Sequence, residues 1–409
     1  MSKTTKLFIL ALSFLIASFT VIGGLGVRAA TNNSDDGSYR QLGVYSEVLS
    51  RIRDEYVEEP NLAAVTNGAL HGLLESLDAD SSYLDPAEFK DYKQRKEGKA
   101  GIGAAISKRY GYAAVISVIP DGPADKADIE SGDIIEAIEG KSTRDMSLAE
   151  IDGRLSGPPG SVVNLSVVHP RRAQPVKTTI TLAMVADPPI TDKMMQDGIG
   201  YIKVIDFPKG RTQEIANKVK WLEKQGAKKI ILDLRNSGAG EEAEGIATAN
   251  LFLNHGTITY LQGQKYPRQT FNADPQKAIA GSIPLVVLVN RGTAGPAEIV
   301  AAAIMENARG DVVGDKTFGS GAIQKVIDMP DGSALILSVA KYYSPDGKAI
   351  QDTAVTPDIL VASNEDDFIA PDETVSPADQ ALEQKEKAAE QDDQLNKAIQ
   401  VLTTQKSKG

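Results

Sequence analysis

The apolar positions of this chain change their period from one region to the next, and each change marks a different kind of structure. Near the start, Leu42, Tyr45, Val48, Leu49 and Ile52 recur at i, i+3 and i+4 spacing, which predicts a helix with one buried face. A second helix is expected over 62–77. Residues 78–86, reading Asp-Ala-Asp-Ser-Ser-Tyr-Leu-Asp-Pro, are turn and cap chemistry leading into a third helix that starts near Pro86. The run 90–99 is densely charged and reads as a solvated stretch.

After Gly101-Ile102-Gly103 the texture becomes that of short strands. Apolar runs at 113–119, 134–138, 162–168 and 178–182 alternate with turn residues, and two short helical stretches are expected near 124–129 and 147–155. Strands this short, with small helices between them, predict a β-rich module. From Gly198 the pattern is strand and helix in alternation: strands at 201–207, 229–234, 285–290 and 311–313, helices at 212–224, 241–252 and 297–307. Pro330-Asp331-Gly332 then turns a hairpin from Val326 back into 334–340. Repeated β-α-β units imply a largely parallel sheet with helices on its faces. The stretch 364–409 is acidic and poor in apolar residues, so a helix there would have no core of its own.

Composition narrows the chemistry. A net charge of −11 and the lack of a compact Lys/Arg cluster argue against the basic face that phosphates need, so nucleic acid is not an expected partner. The chain has no cysteine, which removes disulfides, thiolate zinc sites and cysteine nucleophiles. His71, His169 and His255 lie far apart and no HExxH pattern occurs, so a zinc hydrolase is not expected. Lys3 and Lys6 precede an uncharged run over 7–27, and Val27-Arg28-Ala29 follows as a small-residue cleavage site. Residues 1–30 therefore read either as a cleaved secretory signal or as an uncleaved membrane anchor. Both place the rest of the chain outside the cytoplasm, in the periplasm or cell envelope.

Four stretches, in this order, carry a resemblance. They are residues 76–86; Ile119-Pro120-Asp121-Gly122-Pro123-Ala124 with Ser131-Gly132-Asp133-Ile134-Ile135; Leu232-Asp233-Leu234-Arg235-Asn236; and the run from Val289 through Gln324. Together they resemble the carboxyl-terminal processing (tail-specific) serine protease family over nearly the whole mature chain. The resemblance implies an α/β protease core, a crotonase/Clp-protease-like superhelix of β-α-β units, with an inserted β-rich PDZ domain and an N-terminal helical region. On this reading residues 36–98 are the helical region, 99–186 the PDZ domain, 187–363 the protease core and 364–409 the tail.

A PDZ domain adds a peptide strand to a sheet edge and captures its terminal carboxylate in a nest of backbone N–H groups. Gly101, Ile102, Gly103 and Ala104 are the candidates for that nest, the alternative being a plain tight turn. Ala105-Ile106 would then offer the pairing edge. The expected partners are C-terminal tails of proteins or peptides. Neither a metal nor a cofactor is called for.

The family resembled here cuts with a serine nucleophile and a lysine base. Its serine lies in a turn reading roughly G-(S/T)-A-S-A-(S/A)-E, where this chain has Gly292-Thr293-Ala294-Gly295-Pro296-Ala297-Glu298. Gly295 thus occupies the serine position, and Pro296 has no N–H to offer an oxyanion. Its lysine lies in T-F-G-K-G-x-x-Q, where this chain has Thr317-Phe318-Gly319-Ser320-Gly321-Ala322-Ile323-Gln324. Ser320 stands in the base position, while Gln324 is retained. The usual Asn-Pro-Gly-Gly ridge loop becomes Ser237-Gly238-Ala239-Gly240, which alters the second oxyanion donor around Ala239 and Gly240.

Three functions remain open on the sequence. One is a catalytically silent binder of C-terminal tails. Another is a serine endopeptidase using Ser320 or Thr293 with a nearby lysine, Lys316 or Lys325. The third is an envelope scaffold whose terminal helices mediate a homo-oligomer or association with an active protease.

Overall fold

Alternate residues of the strand Leu285–Val289 face opposite ways, and that alternation builds both layers of the larger domain. The computed structural model describes residues 36–94, 100–170, 174–362 and 392–404. The candidate signal or anchor at 7–27, part of the charged run 90–99 and most of the acidic tail lie outside them. Among the described residues no helix is long and apolar enough to cross a membrane.

The chain divides into two units, 1–69 and 70–409. The first contains helix α1 (Asp36–Glu55), and here an expectation fails. The stripe predicted to be buried is open, with Leu42 62% and Val48 49% exposed. An amphipathic helix buries its stripe only against an opposing layer, and the described residues of this unit supply none. Surface ion pairs from Arg51 to Glu47 and Glu55, each four residues away, support the helix instead. Helix α2 (Leu62–Glu75) follows.

In the second unit, Asp85 caps helix α3 (Pro86–Gln94): its Oδ1 accepts the Ala87 and Glu88 N–H groups, both at 2.9 Å. The β-rich module is an antiparallel sheet with strands in the order Ala104–Arg109, Tyr112–Val118, Ile134–Ile138, Val162–Val168 and Val176–Thr181. Ala104–Arg109 is therefore an edge strand. Helix α4 (Leu148–Arg154) covers one face and is capped by Ser147, whose hydroxyl accepts the Glu150 N–H at 3.1 Å. The expected helix at 124–129 shrinks to one 3₁₀ turn, Asp125–Ala127.

The core sheet runs Thr191–Met194, Ile199–Lys203, Lys229–Asp233, Leu285–Val289, Asp311–Gly314 and Ile359–Leu360, parallel apart from its first pair. Leu285, Val287 and Val289 pack under α5 (Arg211–Lys224), α6 (Glu242–Phe252) and α7 (Pro296–Glu306). Val286 and Leu288 face the other way, onto Ala398 and Leu402 of α8 (Asp393–Thr404). That last helix is clamped by charge as well: Arg235 donates to both carboxylate oxygens of Asp392, at 2.8 and 2.9 Å, and reaches Asp233 at 2.6 Å. A second sheet joins Ser82–Leu84, Ala334–Tyr343, Thr257–Gln262 and Gln269–Asn272, with Ala322–Asp328 hairpinned onto Ala334–Tyr343.

Candidate functional site

Strand Leu285–Val289 ends in a turn that starts α7, and the turn residue is Gly295 at φ 57°, ψ −119°. This conformation strains any residue with a side chain, although a Cβ placed there would meet nothing within 4 Å. The backbone is that of a strand-to-helix elbow, the geometry that exposes the nucleophile of α/β-hydrolases. No side-chain oxygen is present to be exposed. Pro296 takes the first helical position and is buried, so the amide that would follow a nucleophile is absent.

Glu298, three residues on, organises the site. Its carboxylate is fully buried and accepts four hydrogen bonds. One comes from the Gly295 N–H at 3.0 Å, two from the N–H groups of Gly319 and Ser320 at 2.8 Å each, and one from the Thr317 hydroxyl. The turn at Gly295 and the loop at Thr317–Ser320 are thus tied through one acid. Burial pushes the Glu298 carboxyl up to about 7, against the four donors that favour its ionised form. Sequence alone assigns Glu298 no role. The available signal was its place as the third helical residue, from which an acid reaches back to the cap N–H.

Ser320 is half-buried, and Gln324 is exposed on the hairpin strand. Lys316 and Lys325 are both exposed, and among the described residues neither forms a hydrogen bond with Ser320. Thr293 is fully buried; its hydroxyl donates to the Leu234 carbonyl at 2.8 Å and accepts the Asn290 N–H at 3.0 Å. That hydroxyl is committed to holding the turn against the neighbouring strand.

The loop after Ser320 is braced from the segment 78–86. Gly321 donates its N–H to Gln351 Oε1 at 2.7 Å, and Gln351 Nε2 donates to Asp80 at 3.2 Å. Burial, then the charges of Asp78 and Asp352, push the Asp80 carboxyl up to about 6. Gln351 is a second residue that sequence leaves unmarked, since nothing local in its surroundings singles it out.

The ridge loop completes the junction. Ala294 donates to the Ser237 carbonyl at 2.8 Å, and Asn236 and Asn290 bond side chain to side chain at 2.8 Å. The β-rich module sits directly on this loop. A Cβ on Gly238 would overlap Ser117 Oγ and lie 2.9 Å from Ile116 Cγ2. Ala239 and Gly240 are exposed and pair with Asp206 and Phe207.

Gly101, Ile102, Gly103 and Ala104 line a groove of about 330 Å³ that extends along the edge strand to Ile106. The groove also reaches Ile205, Asp206 and Ala239 of the core, so it brings together the predicted nest and one predicted oxyanion residue. Gly103 has φ +75°, and the carbonyls of Ile102 and Gly103 accept the N–H groups of Ala124 and Ile119 at 2.7 and 2.8 Å. The N–H groups of Ile102 and Gly103 donate to nothing among the described residues. Two free amides beside a sheet edge can donate to a carboxylate.

Comparison with known proteins bears on both halves of this site. Residues 198–361 match the model of peptidase family S41, and residues 115–168 match a PDZ domain. The chain is 30% identical over 361 residues to a carboxy-terminal-processing protease of Bartonella bacilliformis, covering 87% of this chain and 82% of that one. It is 34% identical over 320 residues to a carboxyl-terminal-processing protease of a Picosynechococcus species, covering 76% of each. Its fold is similar to a photosystem II D1 C-terminal processing protease, with TM-score 0.66, 26% identity and coverage of 78% of this chain and 92% of that chain.

Proposed function

The chain belongs to peptidase family S41, the carboxyl-terminal processing proteases, and carries a PDZ domain; from that premise we propose that it binds protein C-terminal tails without cutting them. The observation that carries this reading is the elbow at Gly295. It holds a nucleophile's backbone with no nucleophile, is followed by a residue with no N–H, and closes on Glu298 in place of a substrate. A missing oxyanion donor alone removes on the order of 2.7–4 kcal/mol of transition-state stabilisation. The tail enters the groove, pairs with Ala104–Arg109 and sets its carboxylate on the amides of Ile102 and Gly103. The N-terminal pattern at 1–30 supports export to the periplasm or envelope, as a cleaved signal or an anchor. The open stripe of α1 supports a second copy of the chain or an active relative as a further partner.

A second reading, an endopeptidase working through Ser320, has one observation in its favour. The Ser320 N–H lies 2.8 Å from a carboxylate whose pKa is pushed up to about 7, a value suited to a general base.

One experiment separates the two. Purified mature protein is incubated with an unstructured protein ending in small apolar residues, and binding and cleavage are both followed. The silent reading expects binding that amidation of the terminal carboxylate abolishes, and no cleavage. Cleavage that disappears in Ser320→Ala would sink it. The triple change Gly295→Ser, Pro296→Ala and Ser320→Lys is expected to bring cleavage to a scaffold that otherwise only binds.

A further inference from the structure

The hairpin that starts at the groove ends in a turn under strain. Strands Ala104–Arg109 and Tyr112–Val118 pair with Arg109 opposite Tyr112, so Tyr110 and Gly111 are the two loop residues. Their φ angles are 54° and 84°, the positive pair that a type I′ turn demands. Glycine takes this conformation freely, and asparagine or aspartate is the usual residue before it. At Tyr110 a bulky ring is carried on a backbone held in the left-handed region against its preference.

Nothing inside the fold offsets that strain. Tyr110 is 88% exposed, and its ring and hydroxyl meet no partner among the described residues. A residue in a costly conformation, with its side chain turned away from the molecule, points to a contact outside it.

The flanks of the tip are cationic. The Arg109 guanidinium lies 5.1 Å from the centre of the Phe318 ring, and that of Arg144 lies 5.7 Å from the centre of the Tyr112 ring. Arg144 also packs along the turn itself, since a Cβ on Gly111 would lie 3.5 Å from its Cγ. Lys316, two residues before Phe318, is exposed. Stacking on rings orients the guanidinium groups without neutralising them. Among the described residues none of the three cations forms an ion pair, not even Arg144 with the exposed Asp145 beside it. Lys108, Lys141 and Arg154 of the same module are matched, the first by Glu75 at 2.8 Å and the others by Glu150 at 3.1 and 2.8 Å. In a chain of net charge −11, uncompensated positive charge around one exposed aromatic marks a surface for an anionic partner.

We propose that this hairpin tip touches an anionic lipid bilayer, with the Tyr110 ring at headgroup level and Arg109, Arg144 and Lys316 against the phosphates. A ring with an apolar body and a polar end, flanked by cations, is the chemistry of the membrane interface, where tyrosine is enriched and basic side chains meet anionic headgroups. The reading of residues 1–30 as a signal or anchor puts the chain beside such a surface. An acidic protein would use the cations but gain little from the ring, because aromatic anchors at protein interfaces are seated in pockets. The tip stands at the opposite end of the edge strand from the free amides, so this contact is separate from tail binding.

The test mixes mature protein, starting after residue 30, with vesicles of phosphatidylcholine alone or with about one part in five of phosphatidylglycerol, and sedimentation gives the bound fraction. Binding should favour the anionic vesicles and weaken as salt is added. Arg144→Gln and Lys316→Gln should each lower the partition about fivefold at low salt, the effect of one cation at a charged surface. Tyr110→Asn should lower it severalfold while raising the unfolding temperature, because asparagine suits the turn. Insertion itself is read from Tyr110→Trp made together with Trp221→Phe, which leaves the tip with the sole tryptophan. Its emission should shift to the blue when anionic vesicles are added. Equal sedimentation with both lipids, an unshifted emission, or a Tyr110→Asn protein that partitions like the unaltered one would each overturn the membrane contact. In the last case the binding would belong to another surface, such as the open stripe of α1. An unfolding temperature that fails to rise in Tyr110→Asn would show that the ring serves the fold, and would overturn the proposal as well.

Discussion

The groove at Ile102 and Gly103 and the Gly295 turn are made of the same material, backbone N–H groups presented by glycine-containing loops, yet one is open and the other closed. At Ile102 and Gly103 the amides meet no acceptor among the described residues. At Gly295, Gly319 and Ser320 each amide ends on a single internal carboxylate. Donors held ready for a ligand have to be left unfilled, and every buried donor that is filled from within becomes part of the scaffold. On the proposed reading, binding belongs to the first region and support to the second.

The severest test of that division is Glu298→Ala. It strands three amides and a hydroxyl in a buried place, and the expected loss of stability is about 4 kcal/mol, read from urea unfolding. Glu298→Gln should lose roughly half as much, because one acceptor oxygen remains. A near-neutral Glu298→Ala would mean the turn is not closed by its own acid, and the contrast with the groove would collapse.

Almost as large is the expected response to pH. The folded pKa of Glu298, about 7, lies above its ordinary value of 4.5, so the folded chain binds this proton more tightly than the unfolded chain. That stabilisation is present below about pH 4.5 and is lost as pH rises through about 7, up to about 3 kcal/mol in all. Asp80, raised to about 6, contributes in the same direction. Urea midpoints at pH 5 and pH 8 should show the decline, and Glu298→Gln should shrink it.

On the open side, Gly103→Ala sharpens the comparison. The residue sits at φ +75°, and a Cβ would press within 3.3 Å of Pro123 and Val185. Stability should fall by about 1 kcal/mol. Tail affinity should fall with it, since the carboxylate nest itself is distorted. The smallest effect belongs to Ser320→Ala, which keeps the N–H that Glu298 uses. Its stability should stay within about 0.5 kcal/mol, and tail binding should not change.

The sequence made the local parts of this molecule legible and left the long-range parts hidden. The helical stretch expected near 147–155 is helix α4, Leu148–Arg154, and the apolar run expected as a strand at 285–290 is the strand Leu285–Val289. Gly295 and Ser320 were readable because their neighbours still match known motifs. Glu298 was not, because its meaning lies in amides more than twenty residues along the chain. The docking of α8 was equally invisible, since it depends on Arg235 meeting Asp392 across 157 residues. The stripe of α1 misled for the opposite reason: helical spacing reports that a face is apolar, and is silent on whether anything covers it.

The backbone at Gly295 also sets a direction for sequence drift. A substitution from serine to glycine at φ 57°, ψ −119° relieves strain, and the reverse imposes it, at about 1–3 kcal/mol. Chains live close to the threshold of folding, so the two steps are not equally open to selection. Losing a hydroxyl at such an elbow is one change that the fold welcomes. Regaining it requires stabilising changes elsewhere to come first, and the elbow therefore behaves as a ratchet.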